Sequence, residues 1–201
     1  MRTVLVKVGG SLLTLPDLPG RLRTMFGNLR ADRILLLAGG GAAANVVRNW
    51  DQIHKLDTEV SHWLAVDSMR LSAMLLAGLL PEASLAGDRK TIEHAQGQVV
   101  IIDPRLILDE LSLTVSKPLP IGWDCTSDSI AGWIASHWRV DLLVLVKSVD
   151  MPVESEDFRK SESGAVDACF DSVIAPNLKV DWCNLRTQPE LITQWRAASE
   201  T

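Results

Sequence analysis

The chain has 201 residues, 47% of them hydrophobic and 22% charged, with 25 acidic and 20 basic side chains and a formal net charge of −5. That length gives about one domain with a full core, and the apolar content excludes wholesale disorder. The acidic balance argues against a dedicated nucleic-acid binder, which needs a basic face.

Strand-like and helix-like segments alternate along the chain, the signature of an α/β fold. Val4–Val6 reads as a buried strand running into the turn Gly9-Gly10, and a helix opens at Asp17 or Pro19 and runs toward Arg30. Arg33–Ala38 is a second strand, apolar on both faces. Gly39-Gly40-Gly41 leads into an Ala-rich helix toward Trp50, and Thr58–Leu80 has helical spacing until Pro81 stops it. Gln98–Ile102 and Leu119–Gly122 are predicted strands around a short helix at Pro104–Leu111. Thr126–Trp138 is predicted helical and Leu142–Val146 a buried strand. Glu154–Ser163 reads as a polar surface excursion, Asp167–Ile174 as a helix, Val180–Leu185 as a strand and Pro189–Ala198 as a closing helix. About six strands with helices on both faces make one doubly wound sheet, and no composition shift divides residues 1–201 into more than a single domain.

Cys125, Cys169 and Cys183 stand in no CxxC spacing, which fits a reducing compartment and neither a disulfide framework nor a zinc site. No apolar run approaches the ~20 residues of a membrane span. Met1-Arg2-Thr3 leads straight into VLVKV with no signal-peptide layout. A soluble, cytoplasmic protein without nucleic-acid or membrane partners is expected.

Sites in open α/β sheets lie at the carboxyl ends of strands, and four such ends carry unusual chemistry. Lys7-Val8-Gly9-Gly10-Ser11 puts a lysine at the end of a buried strand, where its ammonium either meets an anion or snorkels to the surface. Gly39-Gly40-Gly41 precedes a helix start, which suits an anion nest or a tight connection. Gly39-x-Gly41-x-x-Ala44 also meets the loose dinucleotide fingerprint, but Asp57 and Glu59, at the right distance for its acid, open a helical stretch. Asp124-Cys125-Thr126-Ser127-Asp128-Ser129 caps the next helix with one hydroxyl and one acid, leaving a second acid and two hydroxyls for other work. Val146-Lys147-Ser148-Val149-Asp150 offers a second cation on the same rim, or a solvated strand exit.

The four histidines show no metal spacing. His62 either touches a ligand or packs, and Arg48 either serves an anion or lies on the surface. The seven tryptophans read as packing. There is no Walker A sequence and no GxSxG elbow.

In order, the four segments KVGGS at 7–11, AGGGAAANVVR at 38–48, TSDSIAGWIA at 126–135 and LLVLVKSVD at 142–150 resemble the amino acid kinase superfamily. His62-Trp63 with Ala65 and Met69, Trp133, KSVD and Gly164-Ala165-Val166-Asp167 are similar to the small kinases of methanofuran biosynthesis within it. These phosphorylate an aminomethyl-furanmethyl phosphate. The resemblance implies a three-layer αβα sandwich with a mainly parallel sheet, and an ATP- and Mg²⁺-dependent phosphotransferase acting on a small phosphorylated acceptor. It also implies a homo-oligomer. Lys7 and Asp128 take the catalytic places, Lys7 on the transferring phosphoryl group and Asp128 orienting the lysines. Gly9, Gly10, Ser11, Lys147, Ser148 and Asp150 fall to the nucleotide. Gly39, Gly40, Gly41, Arg48, His62, Asp124, Thr126 and Ser127 fall to the acceptor.

The sequence departs from the family pattern in two places. Met151 replaces the glycine of a common VDG, and the late glycine-rich loop with a second phosphate-binding lysine has only Lys160 and Lys179 as candidates. Two rival expectations follow: a non-catalytic relative that binds a nucleotide or oxyanion, and a nicotinamide-binding oxidoreductase using Gly39–Gly41.

Overall fold

A computed structural model describes residues 1–152 and 164–197. In chain order the elements are β1 (Thr3–Val8), a single 3-10 turn (Gly10–Leu12), α1 (Leu18–Asn28), β2 (Arg33–Ala38), α2 (Gly41–His54) and α3 (Thr58–Leu79). There follow β3 (Ser84–Ala86), α4 (Arg89–His94), β4 (Val99–Ile102), α5 (Pro104–Ser112), α6 (Ser127–Trp138), β5 (Leu142–Lys147), α7 (Phe170–Val173), β6 (Val180–Asn184) and β7 (Thr193–Arg196).

The strands form one seven-stranded sheet in the order β3-β4-β2-β1-β5-β6-β7, parallel except for β7, which runs antiparallel to β6. Central β1 is flanked by β2 and β5, with Val8 opposite both Ala38 and Val146. Because the three strands end in register, the Gly9-Gly10, Gly39–Gly41 and Lys147-Ser148 segments emerge side by side.

Side chains alternate across the sheet. Leu5, Leu37, Leu143 and Leu145 pack with Ile107 of α5 and with Ile130, Trp133 and Ile134 of α6. Val4, Val6, Leu36 and Val144 pack on the other face with Leu18, Leu22 and Met25 of α1. The 22-residue α3 serves both cores, Val66 and Met69 going to the first and Ala73 and Leu76 to the second. The same alternation sends Lys7 and Lys147 to the α6 side.

Capping explains where several helices begin. Asp103 accepts from the amides of Arg105 and Leu106 ahead of Pro104, and Asp88 accepts from Thr91. Asp57 accepts from the Glu59 amide and caps α3. Both candidates for the single acid of the dinucleotide fingerprint, Asp57 and Glu59, are thus at a helix start, not at a strand end.

Three expectations need correction. Leu119–Gly122 is no strand: Pro118 and Pro120 remove alternate ladder donors, and the segment crosses without pairing. The closing helix from Pro189 is instead β7, where Trp195 is buried 5.1 Å from the Trp182 ring and 6.2 Å from Phe170. An aromatic that packs this way on a sheet neighbour overrides a helix-initiating proline. The helix expected over 167–174 shrinks to α7, because Asp167 is used elsewhere. The short β3, unread in the sequence like α4, completes the sheet to seven strands together with β7. The surface excursion expected at 154–163 lies outside the described residues. No helix among the described residues is long and apolar enough to cross a membrane.

Candidate active site

Lys7 and Lys147 lie on adjacent strands beneath the start of α6, where Asp128 is in the first turn. Lys7 Nζ is 2.8 Å from Asp128 Oδ1, and Lys147 Nζ is 2.6 Å from Oδ2. Lys147 also donates to the Ala165 carbonyl at 2.9 Å. Lys7 is 3% exposed and Asp128 6%.

Burial alone would raise the Asp128 carboxyl, but the two ammonium groups overcome it and hold the carboxyl below its ordinary range. Burial, and then the charge of Lys7, push Lys147 down to about 8, against the pull of Asp128. Two buried cations share one carboxylate. Such an arrangement has room for a further anion.

Asp167, whose role the sequence reading missed, supplies the helix cap. Its Oδ2 accepts from the Thr126 amide at 3.0 Å, the Thr126 hydroxyl at 2.8 Å and the Ser129 amide at 3.1 Å, and its Oδ1 accepts from the Ser129 hydroxyl. Thr126 is therefore held by a carboxylate 41 residues away and makes no cap bond of its own. This fastening fixes the first turn of α6, and with it Asp128, above the lysines.

The glycine loops divide their amides between structure and site. Gly9 donates to the Val146 carbonyl and Gly39 to the Val8 carbonyl, each at 2.8 Å, so these two extend the strand pairing and do not serve a nest. The amides of Gly10, Ser11, Gly40 and Gly41 make no hydrogen bond among the described residues. Gly41 has φ +57, a left-handed conformation that glycine adopts without strain. A Cβ on Gly10 would overlap the Gly41 backbone, which brings the two loops into direct contact. Ser11 Oγ lies 2.9 Å from Ser148 Oγ and ties the first loop to the end of β5.

Beside these loops a cavity of about 510 Å³ opens between α2, α3 and residues 122–127. It is lined by Gly10, Ser11, Gly40, Gly41, Arg48, His62, Thr126 and Ser127 from the expected set, with Thr14, Asn45, Met69, Trp123 and Ile130 among the others. His62 is 4% exposed, and its Nδ1 is 3.3 Å from the Gly122 amide and 3.4 Å from the Gly122 carbonyl. Burial, only partly opposed by the Gly122 backbone, lowers its pKa, so the ring is neutral at pH 7.

Two residues expected at the acceptor, Gly39 and Asp124, do not line the cavity. Asp124 is exposed. Asp150 is exposed and accepts from Asn184 Nδ2 at 2.7 Å, which places it past the carboxyl ends of β5 and β6. Of the candidate second lysines, Lys179 precedes β6 at the opposite end of the sheet, and Lys160 lies outside the described residues. Trp123, expected only to pack, and Asp51, unread in the sequence, meet across 72 residues.

The model of the amino acid kinase family matches residues 2–153. The chain is 29% identical over 150 residues to the [5-(aminomethyl)furan-3-yl]methyl phosphate kinase of Methanocaldococcus jannaschii, a match covering 73% of this chain and 66% of that protein. Among solved structures it resembles the uridylate kinase of Archaeoglobus fulgidus, with a TM-score of 0.61 at 19% identity, covering 96% of this chain and 98% of that one. It also resembles the aspartate kinase of Synechocystis, with a TM-score of 0.64 at 12% identity, covering 99% of this chain and 40% of that one. At these identities the structural likeness speaks for the fold.

Proposed function

The chain belongs to the amino acid kinase family, and on that premise we propose that it transfers the γ-phosphoryl group of ATP to a small phosphorylated metabolite. The observation that carries the reading is the buried Lys7–Asp128–Lys147 group, set at the strand ends from which the glycine loops emerge. Phosphoryl transfer asks a protein mainly for positioning and charge neutralisation. In this reading Lys7 contacts the transferring group, Lys147 a neighbouring phosphate oxygen, and Asp128 holds both ammonium groups in place. Gly10 and Ser11 donate to the phosphates, and Gly40 and Gly41 donate to the acceptor at the α2 N-terminus.

The acceptor occupies the 510 Å³ cavity, with Arg48, His62 and Ser127 around it. The nucleotide lies over the ends of β5 and β6, bordered by Ser148 and Asp150. No group of three or more His, Cys, Asp or Glu among the described residues forms a metal cage. In this reading Mg²⁺ comes in on the triphosphate, since it keeps most of its waters and needs few protein ligands. Its part is to neutralise phosphate charge. The chain is read as one kinase domain that works in the cytoplasm as a homo-oligomer. The acceptor of the furanyl relative is the first to assay.

A second reading, a non-catalytic nucleotide- or oxyanion-binding relative, draws on Met151 in place of the turn glycine and on the distance of Lys179 from the site. Measuring ADP release from MgATP with [5-(aminomethyl)furan-3-yl]methyl phosphate and related phosphomonoesters decides between them. Acceptor-dependent ADP release supports the kinase. Nucleotide binding without turnover for any acceptor overturns it.

A further inference from the structure

One wall of the acceptor cavity is built by a contact that the lysines and glycine loops do not use. Gly122, at φ +138, turns the chain ahead of α6. Trp123 then reaches α2, where its indole Nε1 donates to Asp51 Oδ2 at 2.7 Å. Arg48, three residues before Asp51 on the same helix, has its guanidinium carbon 4.8 Å from the centre of the Trp123 ring. Its Nη1 donates to Asn45 Oδ1 at 3.0 Å.

Several described arginines form no ion pair among the described residues, and of these Arg48 lines the cavity. Arg21, Arg23, Arg70, Arg89 and Arg105 each pair with a carboxylate, and Arg48 pairs with none among the described residues. The carboxylate placed to neutralise it is Asp51, one turn along the helix. The indole N–H takes that carboxylate instead. Arg48 is left charged, stacked on an aromatic face and partly fixed by Asn45, at the edge of a cavity lined by no Asp or Glu. A stacked guanidinium with unused donors is preorganised for a phosphate.

We propose that Asp51 and Trp123 are positioning residues for acceptor recognition. Asp51 fixes the indole, and the indole holds Arg48 over the cavity as a cation in contact with no carboxylate among the described residues, which selects the acceptor by its phosphate. This deepens the acceptor side of the kinase reading and rests on it.

The test uses the full chain and furan-3-ylmethyl phosphate as the binding probe, with furan-3-ylmethanol as the uncharged control. In ¹H–¹⁵N spectra the Trp123 indole resonance, identified by its loss in Trp123→Phe, is expected to shift and exchange faster in Asp51→Ala. It is expected to stay in place in Asp51→Asn, whose amide oxygen still accepts. The probe's Kd is expected to rise about tenfold or more in Asp51→Ala and in Trp123→Phe. The two effects should not add in the double variant, since both break one device, and Asp51→Asn should restore binding.

Unchanged probe affinity in Asp51→Ala, with the indole visibly released, overturns the positioning role. So does equal binding of phosphate and alcohol by the wild type. A wild type that binds the probe through this device but releases no ADP with any acceptor keeps the inference and overturns the kinase reading. A wild type that binds neither probe nor acceptor overturns both.

Discussion

Lys7 and Lys147, on neighbouring parallel strands, hold opposite oxygens of the single Asp128 carboxylate at 2.8 and 2.6 Å. Asp128 is itself fixed by the fastening of α6 to Asp167. In the kinase reading, Lys7→Ala leaves Asp128 paired with Lys147 and the fold intact. It removes a phosphoryl contact in the transition state worth roughly 2–4 kcal/mol, about 30- to 1000-fold in turnover. Circular dichroism and kcat on the same preparation check it. A folded variant with wild-type turnover removes Lys7 from the reaction.

The alkaline side of the activity profile belongs to Lys147. Its pKa, pushed down to about 8 by burial and Lys7, means that the free enzyme loses this charge as pH rises through about 8. The value of kcat/KM for MgATP should fall across that range. Stability runs the other way. The unfolded lysine, near 10.5, binds the proton more tightly than the folded one, so the cost of charged Lys147 is full below about 8 and is relieved between about 8 and 10.5. Lys147→Arg should carry the alkaline limb of the rate beyond the measurable range. An unchanged limb in that variant assigns it to another group.

His62 sets an acid dependence. Burial keeps it neutral with a pKa below 6.5, so as pH falls through 6.5 the unfolded chain takes up a proton that the folded chain refuses. Stability therefore declines with acidification from that point. Melting temperatures between pH 7.5 and 5.5 (about two units spanning the ordinary histidine range) should show a steeper decline for the wild type than for His62→Gln. Parallel slopes would remove His62 as the cause.

The two glycine loops make opposite demands. A Cβ on Gly10 would run into the Gly41 backbone, which has nowhere to go. One on Gly40 would meet the Ser68 hydroxyl and sit 2.8 Å from Ala44 Cβ, both side-chain atoms. Gly10→Ala should thus disturb nucleotide and acceptor binding together. Gly40→Ala should act mainly on packing against α3, at about 1–3 kcal/mol of overpacking, and be partly relieved by Ser68→Ala. Thermal unfolding of the single and paired variants measures it, and no relief in the pair removes the Ser68 clash as the cause.

What the sequence made legible follows from locality. Lys7, Lys147 and the glycine runs after β1 and β2 stand out in the sequence because a cation or glycine run ending a buried apolar strand is a local contradiction that calls for a reason. The parallel sheet was readable for the same cause, since RILLLA and LLVLV allow little else. Thr126 or Ser127 reads as an independent cap because the sequence neighbours suit one, yet the bonds at this helix start come from Asp167. Trp123 looked like packing because its partner on α2 is 72 residues away. Gly9 and Gly39 could not be told from Gly10 and Gly41 until strand register showed whose amides were spent. The segment after Pro189 was misread because the burial of Trp195 against Trp182 is a tertiary fact.

The measurement closest to the central claim is the turnover of Asp128→Asn. The substitution keeps size and hydrogen-bonding capacity but takes the charge from between two buried ammonium groups, so stability should drop by about 3–5 kcal/mol and the melting temperature by on the order of 10 °C. The assay is run well below that melting point. With Lys7 and Lys147 no longer held on one carboxylate, kcat should fall at least about 100-fold, while MgATP affinity is kept or tightened because a negative charge near the phosphates is gone. A folded Asp128→Asn protein turning over at the wild-type rate would contradict the account.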